Sequence, residues 1–450
     1  MFHTPPLFRL LPLSLALAAA LPAAAQSLTD LYGAARGFDA SYQSAKAQFD
    51  AALAKADQAQ AGVLPTVGLS ATAAQNNQDV QQPSASSKNY NYSTQTVTLA
   101  ASQPLYRPAN WASYEQGKKS VEAANAQLLA AEQDLMVRVG QAYFDVLASS
   151  DNLEFVKRQK AAVAEQLASA QRNFEVGTAT ITDTREAQAR FDLVVAQEIA
   201  ADNDLRVKLL ALRQLVGKQD AAPLAATAAV ELPDIGKTDM EQWVGTALSK
   251  HPGIRQLEVA LDVAKLETSK AQAGHKPTLD LTGSYTSSAA QSNLLTSTPT
   301  AVYGNTLANV ASIGLSFNLP LYAGNAVQNR VKETLALEAK AQDDLEATRR
   351  AVEQGTRTAY FGLQSGLAQV KAYEAAEASS QVALDANKLG YQVGVRINID
   401  VLNAQSQLYD TKAKLAKARY DVLQGGLKLR QAVGTLQTSD LDAVSKLLNP

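Results

Sequence analysis

Few residues of this chain have the type and spacing that covalent chemistry needs. There are three histidines and no cysteine. Without cysteine there is no disulfide, no thiolate metal site and no Cys nucleophile. His3 lies in a leader-like start, and His251 and His275 stand beside Pro252 and Lys276 at expected helix ends, none with a second ligand at metal spacing. No G-x-S-x-G, Walker or H-E-x-x-H motif occurs. The acidic pairs Asp343-Asp344 and Glu374/Glu377 fall on long helical runs, where a solvated face is the ordinary role. No catalytic, cofactor or metal site is expected. The remaining candidates gather around two glycines, Gly177 and Gly394: Thr182 and Asp183 after the first, Tyr391, Arg396, Asp400 and Asn403 around the second. By type alone, they make exposed ion pairs worth under about 1 kcal/mol. Asp400 could equally cap a helix.

Those residues sit at matching places in a chain that is written twice. One shift takes Phe174-Glu175-Val176-Gly177 to Tyr391-Gln392-Val393-Gly394, Tyr143-Phe144 to Tyr360-Phe361, Asp183 to Asp400 and Val216-Gly217 to Val433-Gly434. At a slightly smaller shift, Gly62 and Pro65-Thr66 match Gly274 and Pro277-Thr278. Two long copies indicate a duplicated unit, not a solenoid of short repeats.

Each copy predicts the same elements. A helical run (28–62, then 253–274) ends at a glycine with proline close behind, which is a stop signal. Two strands follow, about 66–104 and about 278–320, joined by polar loops at Gln75–Asn89 and Thr286–Thr306. Val97, Leu99 and Ala101 alternate with Thr96, Thr98 and Ala100. Ile313, Leu315, Phe317, Leu319 and Leu321 alternate with Ser312, Gly314, Ser316 and Asn318. Period two means one apolar and one polar face. Then come proline-free runs, 109–173 and 325–389; about 65 helical residues make a rod of about 100 Å. A further helix closes each copy, 184–216 and 400–433. In the last, Val401, Leu408, Leu415, Val422 and Leu429 recur every seven residues, with Ala404, Thr411, Ala418, Gly425 and Ala432 three further on. That is a coiled-coil seam of large and small residues. The first copy's seam, Thr184, Phe191, Glu198, Leu205 and Leu212, is weaker.

The ends and the charge bound the setting. Arg9, the apolar run Leu10 to Leu21 and Ala23-Ala24-Ala25 describe a secretory signal peptide over residues 1–25. Beyond it no apolar stretch is long enough for a spanning helix. With 41 basic and 43 acidic residues, the net charge of −2 offers no footprint for nucleic acid. The expected organisation is a first repeat at 26–220, a linker at 221–238, a second repeat at 239–436 and a C-terminal segment at 437–450.

Four strands with one apolar face cannot stand alone in lipid, because open edges leave backbone groups unpaired. Barrels begin at about eight strands, so several copies would share one. The leader, the doubled strand-pair and long-helix units, the Gly-x-x-Pro-Thr and Pro-Leu-Tyr strand boundaries and the Tyr391-Gln-Val-Gly-Val-Arg396-Ile-Asn-Ile-Asp400 turn together resemble the TolC-type outer-membrane channels. The resemblance covers essentially the whole mature chain. It implies a homotrimer: a mixed α/β membrane protein whose twelve-stranded β-barrel, four strands per chain, continues into a helical coiled-coil tunnel in the periplasm. It implies a passive duct for drug efflux or type I protein secretion, contacting outer-membrane lipid, a periplasmic adaptor and an inner-membrane pump or ABC transporter. It also implies that Gly177 and Gly394 mark the tunnel's tip. Arg396 would latch it to Thr182 and Asp183, and Tyr391 to Asp183. Asp400 would form an acidic ring in the lumen, with Asn403 where a second acidic ring would stand. The rival reading is a periplasmic adaptor, which needs β-rich domains around one hairpin.

Overall fold

The computed structural model describes residues 26–82, 85–223, 239–292 and 304–448. The expected leader and linker residues 224–238 lie outside them. The order is α1 (Leu28–Phe38), α2 (Ala40–Gln60), β1 (Thr66–Gln82), β2 (Ala85–Tyr106), α3 (Pro108–Glu175) and α4 (Ile181–Val216). Then follow α5 (Met240–Lys250), α6 (Pro252–Gln272), β3 (Thr278–Ser292), β4 (Gly304–Asn318), α7 (Ala326–Gln392), α8 (Asn398–Val433) and α9 (Thr438–Leu448). α3 and α7 run 68 and 67 residues, each about 100 Å long. Pro108 opens α3 at a position where a missing N–H costs nothing. Neither helix contains proline to break it.

Four features depart from the sequence-based expectation. The run 28–62 is not one helix: Asp39 adopts extended backbone and accepts the Tyr42 N–H at 2.8 Å, so it ends α1 and caps α2. Arg138 donates to both Asp39 oxygens, at 2.8 and 3.0 Å, and holds that carboxyl below the usual range. The short helices α5 and α9 fall where no helix was expected. The polar stretch 75–89 is largely strand, with Gln75 opposite Ser93 and Asp79 opposite Asn89. β3 likewise continues to Ser292, and β4 starts at Gly304. A ladder is made by backbone groups, so polar side chains do not end it when a partner strand is present.

The sheet runs β1-β2-β3-β4, antiparallel throughout, with β1 and β4 at open edges. Its register lines up Val67, Ala101, Gly283 and Ile313 across one face, and Leu69, Leu99, Tyr285 and Ala311 beside them. The opposite face carries hydroxyl pairs: Thr98 with Thr286 at 3.1 Å and Ser284 with Ser312 at 2.8 Å.

The helices pack as the heptads require. Val401, Leu408, Leu415, Val422 and Leu429 are buried, against Leu363, Val370 and Leu384 of α7. Gly425 sits against Leu363, which explains a small residue there. In α4 the small-residue half of the seam, Ala187, Val194 and Ala201, is buried, as is Leu212, while Phe191 and Leu205 of the large-residue half are only partly covered. Glu198, which would have interrupted that seam, turns aside to pair with Lys160 of α3. The largest core lies partway along the rods, where α1 and α9 pack on α3, α4 and α8 through Leu31, Leu135, Val139, Leu212, Leu427 and Leu441.

His251 does for α6 what Asp39 does for α2. Its Nδ1 accepts the Gly253 N–H at 3.1 Å, and its backbone packs on Gly434 at the end of α8, leaving no room for a Cβ. An accepting Nδ1 requires neutral imidazole, and burial pushes His251 below the ordinary histidine value. The unfolded chain therefore takes up this proton more readily than the folded one. The contribution is fully present above about pH 6.5 and is lost as pH falls through the lowered folded value. His251→Asn keeps a cap acceptor and removes the titration. The parent's thermal midpoint is expected to fall more steeply than the variant's between about pH 7 and 5. Parallel midpoints would exclude this role.

Candidate functional site

The first candidate surface is the sheet. Its apolar face is bare in the chain: Val67, Leu69, Ile313 and Phe317 are exposed, Ile313 by 82%. Apolar residues occupy 67–73 of β1, 97–101 of β2, 279–285 of β3 and 311–317 of β4, alternating in each strand, so they form one band across the sheet. Beyond the band the strands are mostly polar or small, with Leu307 and Val310 of β4 as exposed exceptions. At its helical end, Arg107 grips Asp280 with two bonds, Nε to Oδ1 at 2.7 Å and Nη2 to Oδ2 at 2.6 Å. This fork fixes the junction of β2 and α3 to β3. Sequence reasoning missed it because the two residues are far apart in the chain.

The second is the pair of turns at the far end of the rods. Gly177 and Gly394 both take φ +79, a left-handed conformation that favours glycine at a helix end. The turns close alike: the Thr178 N–H reaches the Asn173 carbonyl at 2.8 Å, and the Val395 N–H reaches Gly390 at 2.8 Å. Val176, Val393, Val395 and Ile397 stand exposed around them.

The polar residues at these turns are placed as follows. Asp183 accepts from the Thr180 N–H at 2.9 Å and hydroxyl at 2.8 Å, while its own N–H donates to Thr180 Oγ1 at 3.2 Å. That is a capping box within its own hairpin. Thr182 is exposed. The Tyr391 hydroxyl accepts from Asn173 Nδ2 at 3.3 Å, and Arg396 Nη1 lies 3.6 Å from Asp400 Oδ2. Within one chain, then, Arg396 and Tyr391 meet partners other than Asp183. Asp400 is not a cap: α8 begins after Ile397 with no side-chain cap bond. Asn403 is engaged through its carbonyl oxygen, which accepts from Arg190 Nη2 of α4 at 2.5 Å. Arg190 and Asn173 were not foreseen, since no local pattern pairs residues of separate hairpins. Among the described residues no cluster could hold a metal ion, and no helix is long and apolar enough to cross a membrane.

An open four-stranded sheet with a bare apolar band, carried on rods of this length, agrees with what is known of other proteins. The outer membrane efflux protein family matches residues 31–218 and 243–435. The outer membrane protein TolC of Vibrio cholerae is 34% identical over 93% of this chain and 92% of its own length. The alkaline protease secretion protein AprF of Pseudomonas aeruginosa is 30% identical over 94% of this chain and 87% of its own. Among solved structures, the outer membrane protein VceC of Vibrio cholerae shares the fold at TM-score 0.75 and 20% identity, covering 90% of this chain and 96% of that one. The chain belongs to the outer membrane efflux protein family, and it is an exit duct of the outer membrane for efflux or secretion.

Proposed function

We propose that the chain is one protomer of a homotrimer whose twelve strands close a passive barrel. The observation that carries this reading is the open sheet, with two unpaired edges and an exposed apolar band. In hydrocarbon each unpaired backbone group costs several kcal/mol, so such a sheet must close. Four strands are too few to close alone, and three copies supply twelve. The doubled element order and the matching cap roles of Asp39 and His251 support descent from a duplicated unit. Two helical hairpins around one sheet argue against the periplasmic adaptor reading.

In the trimer the rods form a periplasmic tunnel that is shut at the hairpin tips. Arg396 is the latch to Thr182 and Asp183 of a neighbouring hairpin, and Tyr391 the latch to Asp183. Their partners within the chain are exposed or part-buried, so exchange is inexpensive. Asp400 supplies an acidic ring at the entrance, with Asn403 in the second ring position. The bare valines of the tips suit a helical periplasmic adaptor, which would open them and join the duct to an inner-membrane pump or ABC transporter. The test is physical. Expressed in full, the protein is expected to stay in the outer-membrane fraction through carbonate extraction and to migrate as a trimer until heated. Release by carbonate as a monomer overturns the reading.

A further inference from the structure

Asp400 is not alone at the entrance. Arg396 lies 3.6 Å from its carboxylate on one side. On the other, Asn403 stands one turn further along α8, its side chain about 5–6 Å from that of Asp400 at the Cβ atoms. The Asn403 carbonyl holds the guanidinium of Arg190, which crosses from the other hairpin. Arg190 also lines the open groove of about 560 Å³ between α3, α4 and α8, so its charge faces water and solutes. An arginine keeps its proton at every working pH. An amide at 403 accepts its hydrogen bond without neutralising it, whereas a carboxylate there would cancel it. Arg396 thus stands beside Asp400, and Arg190, one helical turn and one hydrogen bond away, is on the order of a Debye length from it, about 8 Å in physiological salt.

We propose that Arg190, held on Asn403, is a selectivity-determining residue of the duct. Its charge offsets Asp400 and removes the preference for cations that an Asp400 ring would impose by itself. The inference rests on the reading that Asp400 lines the tunnel entrance. In water, unit charges at this range interact by about RT, which sets the expected change at about threefold.

The experiment is a reversal-potential measurement on trimers in planar bilayers under a KCl gradient. Arg190→Gln is expected to raise the potassium-to-chloride permeability ratio about threefold or more. Arg190→Lys keeps the charge and is expected to restore the parent's ratio. Asp400→Asn is expected to move the ratio the other way. Loss of the Arg190 to Asn403 tie also loosens the two hairpins, so conductance is read separately. Raised conductance with an unmoved ratio would mark a structural clasp only and overturn the proposal. A ratio moved by Asp400→Asn and not by Arg190→Gln overturns it while sparing the entrance reading. A ratio unmoved by Asp400→Asn brings down the entrance reading and the proposal with it.

Discussion

Leu315→Arg is expected to abolish trimer assembly, and Ser316→Arg beside it to be tolerated. Leu315 lies within the apolar band, flanked by Ile313 and Phe317 on the same face and paired across to Leu281. The band, and not the strand's midpoint, sets membrane depth, because the large apolar residues of β4 are densest from Ile313 to Phe317. An arginine at the midplane of a barrel's lipid face costs about 2–4 kcal/mol. A trimer bears that cost three times, against an assembly whose whole margin is of similar size. Ser316 points to the other face, opposite Asp280 in the register. A cation there lies on the hydroxyl-lined polar face; Asp280 is already held by Arg107, so tolerance rests on hydration and not on a new ion pair. The measurement is the yield of heat-dissociable trimer in outer membranes. Equal yields from both variants would show that this strand does not cross lipid as described.

The double change Arg396→Ser with Tyr391→Phe is expected to turn a mostly shut channel into one of high single-channel conductance. Hydrogen bonds to charged groups contribute about 1.5–3 kcal/mol each. Moving an equilibrium from 1:99 to 99:1 takes about 5.5 kcal/mol. Latches repeated in three copies span that range. These two residues are the right targets because neither side chain caps a helix, and Tyr391→Phe keeps the ring that packs on Leu384 and Val401. Asp183 is the wrong one: its capping box sustains the start of α4, and its removal would cost about 1 kcal/mol of helix stability apart from any gate. Bilayer recordings decide the matter, since conductance equal to the parent's removes the latch.

The sequence by itself determined the features that depend on near neighbours. Alternation in 97–101 and 312–319 assigned both faces of the strands, because side chains alternate strictly along a pleat. The seven-residue recurrence from Val401 to Leu429 assigned the buried side of α8, because helical periodicity is local. Glycines 177 and 394 marked the turns, because few other residues tolerate that backbone. Tertiary structure decided whatever depends on a partner distant in the chain. It carried the ladder along polar residues 75–82 and 85–89, where a paired strand satisfies the backbone that a loop would leave to water. It let Glu198 stand in the α4 seam, since Lys160 of α3 offered it an ion pair. It joined Arg107 to Asp280 and Arg190 to Asn403. A carboxylate or guanidinium has several partners of similar strength within reach, and only the packing of whole helices brings one of them close.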